Sequence, residues 1–423
     1  MTQKWLSIVG IGEDGLPGLS PIARSLVDGA EVLVGGGRHL AMLPPDDRPR
    51  LSWVSPISSS VDEILRRRGQ RICVLASGDP MCYGIGALLT RRVAIAEITI
   101  IPSVSAFSLA CARLGWSLPE VETLSLCSRP PDLLRASLYA NAKLLVLSEG
   151  RQTPAIVAEI LTQQGLGDSR ITVLERMGGV HERQISGIAA TWGKLDQDIA
   201  DLNTLAIECI ASSVASSIAS SGIPNPQSLS RSPGLPDAAY HHDGQLTKRE
   251  IRAVTLSALA PLPGELLWDV GAGCGSIGIE WMRSHPRCRA IAIEKSRTQY
   301  IADNAAALGT PTLQIIQGTA PTALQNLPAP DAIFIGGGIT SEGLLEVCWS
   351  ALKPGGRLVA NVVTLEGEQK LFAAYEKVGG SFIRIGIQRA EPVGKFLGWR
   401  SLATVTQWTA IKPEPSSTAL QNF

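Results

Sequence analysis

Short apolar runs rich in Val, Ile and Leu recur along the chain, closed by glycine or polar turns and separated by stretches of helical pattern. Runs of this length and composition predict strands, and their alternation with helices predicts an α/β protein with buried parallel sheets. In the N-terminal half the predicted strands are Lys4–Val9, Glu31–Val34, Arg71–Ala76, Ile98–Ile101 and the run around Leu144–Leu147, with Thr204–Cys209 last. Helices are predicted to start at Ser20-Pro21 and, after the loop Pro102–Phe107, to run as far as Leu114. The pattern then breaks. Ala211–Pro236 is rich in Ser, Ala, Pro and Gly, carries a single charge at Arg231, and reads as a connector. From Gly264 the alternation resumes, with strands predicted at Leu266–Val270, Arg289–Ile293, Thr312–Ile316, Asp331–Ile335, Arg357–Val362, Phe382–Gln388 and Trp399–Gln407. Helical segments separate the first six. Only a short connection containing Pro392-Val393-Gly394 precedes the last, so the final two should pair antiparallel. The expected organisation is a domain over 1–210, a linker over 211–236 and a second domain over 237–423.

Composition narrows the class. At 423 residues more than one domain is expected. Acidic and basic residues balance at 38 each, which gives no large nucleic-acid footprint. No apolar run reaches the ~20 residues a membrane span needs, and the first residues lead straight into a strand without a signal-like leader. A cytoplasmic protein without a membrane partner is expected. The eight cysteines never fall as C-x-x-C and the five histidines show no ligand spacing, so core cysteines and no protein-bound metal are expected.

Two glycine loops carry candidate chemistry. The first, Gly10-Ile11-Gly12-Glu13-Asp14-Gly15, matches G-x-G-x-x-G by letter. It does not open directly into a helix, and the next strand ends in Gly35-Gly36-Gly37 rather than an acid. A dinucleotide site needs both features. The second loop, Gly271-Ala272-Gly273-Cys274-Gly275, has the right surroundings. A buried strand ending at Asp269-Val270 precedes it, a helix follows at once, and the next strand ends on Glu294. Glycines allow close backbone approach, the helix start offers N–H groups, and the acid can hold a ribose. Asp269 could instead only brace the loop by accepting backbone N–H bonds. A second βαβαβ half, as in a dehydrogenase, does not follow. Seven strands with a closing hairpin is the Rossmann-like methyltransferase layout, which moves the expected cofactor from nicotinamide to S-adenosylmethionine.

The N-terminal half also carries Ser77-Gly78-Asp79-Pro80-Met81 and Pro102-Ser103-Val104-Ser105-Ala106. With the first glycine loop, these resemble the tetrapyrrole methyltransferase family over Trp5 to about Cys209. That resemblance implies two α/β lobes with S-adenosylmethionine between them, lined by Gly78, Asp79, Pro80, Met81, Ser105 and Ala106. Gly10 would let the first loop approach the tetrapyrrole. Where relatives often carry Gly-Pro-Gly, this chain has Gly12-Glu13-Asp14-Gly15. In the C-terminal half, the run Asp243–Glu250, the loop Gln317–Pro321 and Phe334-Ile335-Gly336-Gly337-Gly338 resemble the decarboxylating precorrin methyltransferases of cobalamin biosynthesis. This implies cofactor contacts from Gly271, Ala272, Gly273, Cys274 and Gly275, with Glu294 on the ribose and Thr319 and Ala320 at the adenine. Thr247 is a further candidate, although with Glu250 it also makes a capping box for a helix Lys248–Leu259.

Together the two resemblances imply methylation of a precorrin at carbon 5 by the first half. Carbon 15, with loss of the ring C acetate carboxyl, would fall to the second. The substrate is rich in carboxylates, so Arg38, Lys248, Arg249 and Arg252 are candidates to orient it, each with the plainer alternative of a solvated cation. No catalytic base is singled out, because an electron-rich meso carbon needs none. The family resemblance further implies a multimer, a tetramer formed through the second half. Two other readings stay open: the first half as a tetrapyrrole-binding scaffold beside a single catalyst, and the second half as a nucleic-acid methyltransferase.

Overall fold

The computed structural model describes residues 4–195, 197–211 and 229–414. The chain divides into two compact units, one drawn from the N-terminal half and one from the C-terminal half; the segment Pro130–Tyr139 belongs to the latter.

The first unit has two sheets. One contains β1 (Leu6–Ile11), β2 (Val32–Gly35), β3 (Arg50–Ser52), β4 (Ile72–Ser77) and β5 (Ile98–Ile101) in the order β3-β2-β4-β1-β5. All its pairings are parallel. The apolar residues of β1 and β4 are buried on both faces, which is why these strands read as continuous hydrophobic runs. The other contains β6 (Glu122–Ser125), β7 (Lys143–Leu147), β8 (Arg170–Glu175), β9 (Arg183–Ile188) and β10 (Asn203–Glu208), ordered β6-β7-β10-β8-β9. Only the β6–β7 pair is parallel. Helix starts obey the sequence signals: Ser20 accepts from the Ala23 N–H with Pro21 at the first helical position, and Ser105 accepts from the Ser108 N–H to open helix Ala106–Leu114.

The second unit is built on β11 (Leu266–Val270), β12 (Arg289–Glu294), β13 (Gln314–Gln317), β14 (Ala332–Ile335), β15 (Arg357–Val362), β16 (Ser381–Ile385), β17 (Gln388–Val393), β18 (Phe396–Ser401) and β19 (Val405–Ile411). Its seven-stranded sheet runs β13-β12-β11-β14-β15-β19-β16. The first five are parallel and β19 is antiparallel to both neighbours. The closing segment departs from expectation. A single strand Trp399–Gln407 does not form; β17 and β18 pair only with each other as a separate hairpin, and β19 begins after it. Residues on the sheet side of that junction carry the burial: Val405, Thr406, Gln407 and Trp408 are buried, whereas Val393, Phe396, Leu397 and Trp399 are exposed. An apolar run of mixed burial cannot be assigned to one strand from pattern alone.

The helix predicted from Lys248 also shifts. It runs Arg249–Leu259 with Lys248 as the extended N-cap residue, and no side chain caps it. The Thr247–Glu250 capping box is therefore not formed; Glu250 pairs instead with Arg389 at 2.6 Å.

Candidate functional site

At the carboxyl ends of β11, β12, β14 and β15 a cavity of about 650 Å³ opens in the second unit. Crevices of open α/β sheets lie at this end of the strands. Its floor is the second glycine loop. Gly271 adopts φ +70°, and a Cβ there would meet the backbone of Gly337 at 2.8 Å. The two glycine runs are thus required by one another, because the loops after β11 and β14 touch through bare backbone. Gly275 has φ +82°, but its missing side chain makes room for Ile301 Cγ2 rather than for the cavity.

Glu294 ends β12, is buried, and lies on the cavity wall. Its Oε2 accepts from the Gly273 N–H at 2.9 Å and its Oε1 from the Ser296 N–H at 3.1 Å. Asp269 is fully enclosed beneath the loop, where its Oδ2 accepts from the Gly278 N–H at 2.9 Å and its Oδ1 has no partner. Burial pushes its pKa up to about 7, with the nearby Glu294 charge adding to the rise. Cys274 also lines the cavity, and burial raises its thiol to about 11, so it is an inert thiol wall. Among the expected cofactor residues, Thr247, Gly271, Ala272, Gly273, Cys274, Glu294, Thr319 and Ala320 all line this cavity.

The expected substrate cations divide. Lys248 lines the cavity. Arg249 does not; it is exposed and donates to the Gly234 carbonyl at 3.0 Å. Arg252 is overturned as a substrate contact: its exposure is 0%, and its guanidinium meets Glu280 and Asp237, each at 2.8 Å. It also donates to the carbonyls of Leu235 and Thr247, and Glu280 in turn receives the N–H groups of Gly234 and Leu235. The cause is helix geometry, since Arg252 shares the inward face with Thr255, Leu256 and Leu259. Sequence reasoning did not single out Lys295, Arg297, Ser341, Asn361, Leu402, Ala403 or Val405, which also line the wall. For Asn361 a signal existed, its place near the carboxyl end of a strand.

In the first unit, Gly78 and Ala106 line a cavity of about 80 Å³, with Gly12, Glu13, Arg38 and Arg176 among its neighbours. Asp79, Pro80, Met81 and Ser105, expected beside them, do not line it. Asp79 Oδ1 accepts from the Met81 N–H at 2.8 Å, and Ser105 is occupied as a helix cap. Gly10 serves its own chain: a Cβ would lie 2.0 Å from the Gly78 carbonyl oxygen, which itself accepts from the Ser103 N–H. Its bareness lets two loops meet and does not line the cavity. Arg38 faces both this cavity and an adjoining groove of about 780 Å³, paired with Glu13 and bonded to Ser77 Oγ at 3.0 Å. Burial and the Arg38 charge push His39 down to about 4, so it is neutral.

Residues 6–191 match the family described as tetrapyrrole (corrin/porphyrin) methylases, and residues 238–412 match the precorrin methyltransferase domain. A curated relative from Sinorhizobium sp, named precorrin-6Y C(5,15)-methyltransferase [decarboxylating], is 46% identical over 97% of this chain and 97% of its own. The chain belongs to the precorrin-6Y C(5,15)-methyltransferase (decarboxylating) family. Two shorter relatives of this family member are each named for one position. The cobalt-precorrin-7 C(5)-methyltransferase of Salmonella typhimurium is 32% identical over 42% of this chain and 88% of its own. The probable cobalt-precorrin-6B C(15)-methyltransferase (decarboxylating) of Saccharolobus solfataricus is 34% identical over 35% of this chain and 78% of its own.

Precorrin methyltransferases use S-adenosylmethionine. The second unit's cavity fits that group on its own geometry. The bare Gly273 leaves open space in the loop, and the Glu294 carboxylate stands on the cavity wall at the end of the neighbouring strand. Among the described residues no helix is long and apolar enough to cross a membrane, and no group of three His, Cys, Asp or Glu side chains could hold a metal.

Proposed function

We propose that this chain methylates a precorrin macrocycle at carbons 5 and 15 and removes the carboxyl of its ring C acetate, converting precorrin-6B (precorrin-6Y) to precorrin-8 in cobalamin biosynthesis. The observation that carries this reading is the 46% identity, across nearly the whole of both chains, to a relative named for both positions and for decarboxylation. The first half serves carbon 5; the second serves carbon 15 and the decarboxylation. Support for this division comes from the two shorter relatives, each spanning under half of this chain and named for one position. Separate glycine-lined cavities in the two units agree with it.

S-adenosylmethionine, when bound, supplies a methyl on a sulfonium that a carbon nucleophile can take, leaving a neutral thioether. The chain's own contribution is orientation and shelter. In the second half, Gly271 and Gly273 hold the backbone close, Glu294 accepts hydroxyl hydrogen bonds, and Thr319 and Ala320 flank the base. Lys248 and Lys295 bring positive charge to a substrate of many carboxylates, while Arg297 is already paired with Asp243 at 2.7 Å. An electron-rich meso carbon requires no strong base, in keeping with a wall whose acid, Glu294, is engaged with the loop.

We also place the protein in the cytoplasm, acting on tetrapyrrole rather than nucleic acid, and assembled as a homo-oligomer through the second half. The hairpin β17–β18 supports the last point. Two-stranded ribbons are marginal alone, and this one exposes Phe396 (80%), Leu397 (73%) and Trp399 (75%). The deciding experiment incubates the full chain with precorrin-6B and methyl-labelled S-adenosylmethionine and counts label and CO₂ by mass spectrometry. Two methyls and one CO₂ per macrocycle are expected. A single methyl with one CO₂ would favour a binding role for the first half.

A further inference from the structure

The glycine loop, Glu294, Thr319 and Ala320 line the second-unit cavity. Lys248, Ser341, Asn361, Val363, Leu402, Ala403 and Val405 also line it. Within it, Asn361 stands out by how it is held. On β15 it lies directly across from Gln407 of β19. Gln407 Nε2 donates to Asn361 Oδ1 at 2.9 Å and to Thr255 Oγ1 at 3.2 Å, and Asn361 Nδ2 donates to the same hydroxyl at 2.8 Å. Thr255, from helix Arg249–Leu259, is 0% exposed and Gln407 is 1% exposed.

Burying a threonine hydroxyl and a glutamine amide costs free energy unless each is hydrogen-bonded, and apolar residues of similar shape would serve packing at least as well. Their polar atoms converge on one partner, the amide of Asn361. Three elements therefore fix both ends of a single side chain at a cavity wall. An amide has two donors and about two acceptor sites. One Nδ2 hydrogen and one Oδ1 lone pair are spent on the network, which leaves one of each for a ligand. Fixed polar groups backed by a satisfied network are what orientation of a substrate requires.

We propose that Asn361 contacts the tetrapyrrole in the second-half site, its free Nδ2–H donating to a substrate carboxylate, and that Thr255 and Gln407 are its positioning residues. This inference rests on the functional reading above for the identity of the ligand. A carboxylate is the fitting acceptor, because Lys248, which also lines the cavity, supplies the charge and Asn361 the direction.

The test uses the full-length protein and measures macrocycle affinity separately from turnover. Asn361→Asp keeps size and can still engage Gln407 and Thr255, but sets a negative charge against the carboxylate. Calorimetric Kd for precorrin-6B at the second site, and KM for second-half methylation, are expected to rise tenfold or more. Kd for S-adenosylmethionine should stay within twofold. Thr255→Val is expected to lower kcat of the second-half methylation at least fivefold, whereas Thr255→Ser, which retains the hydroxyl, restores it. Asn361→Asp with unchanged macrocycle Kd and KM overturns the contact. Equal kcat for the valine and serine variants overturns the positioning role. If the wild-type chain binds precorrin-6B but transfers no methyl, the functional reading fails while the Asn361 contact is still decided by the Kd comparison.

Discussion

Single side chains in the second unit divide into those that meet the cavity and those that hold its frame. Glu294 belongs to both, since it lines the cavity and accepts the Gly273 N–H. Glu294→Ala is expected to weaken S-adenosylmethionine binding at the second site by tenfold or more, read by calorimetry on the full chain with the first site as internal control. Arg252 belongs only to the frame. Removing one member of a buried ion pair leaves the other charged and unpaired, so Arg252→Leu should lower second-unit stability by about 3–5 kcal/mol in urea unfolding. A loss below about 1 kcal/mol would contradict that role. The buried carboxyl of Asp269 gives a pH signature. Its folded pKa, about 7, lies above its ordinary 3.8, so the protonated form is the favoured one in the folded protein. Its stabilising contribution is complete below about pH 4 and is lost as pH rises towards 7. Asp269→Asn should therefore gain stability relative to wild type across that interval, by roughly 4 kcal/mol at most. A difference that does not change with pH would refute this. Sequence alone named Glu294 and Asp269 because strand-end acids beside a glycine loop have a position-specific meaning. It misplaced Arg252 because a cation carries no mark of whether its helix face is buried.

Elements were legible where one physical signal acted alone. The loop from Pro102 opens a helix that ends at Leu114 as expected, and β11 and β15 have the bounds that their apolar runs predict. The start of helix Arg249–Leu259 was misread because Thr247 and Glu250 satisfy the capping-box letters while Arg252 and Arg389 claim their surroundings. The last strands were misread because a hairpin with an apolar outer face has the same letters as a buried strand. That hairpin also supplies the test of assembly. Trp399→Glu together with Phe396→Glu should shift the protein to a smaller species in light scattering, with the unfolding midpoint of the first unit unchanged. An unaltered mass would place any oligomer contact elsewhere.

On the scale of the whole molecule, the proposed division of labour makes the two activities separable. Ala106→Phe fills the small first-unit cavity, and Glu294→Ala disables the second. Each variant alone should yield product one methyl short, with CO₂ lost only by the former. A mixture of the two should restore the doubly methylated product, because the macrocycle can leave one chain and enter another. Failure of the mixture would mean that transfer within one chain is obligatory. The sequence by itself determined the strand periodicity and the strand–glycine loop–helix order around Gly271, because both are written in local spacing that the backbone must obey. Tertiary structure alone decided which polar residues face a cavity. Gly10 touches Gly78 and Ser103, Gly271 touches Gly337, Arg252 turns inward, and Asn361 is fixed by Gln407 and Thr255. These are contacts between residues far apart in sequence, and only packing brings them together.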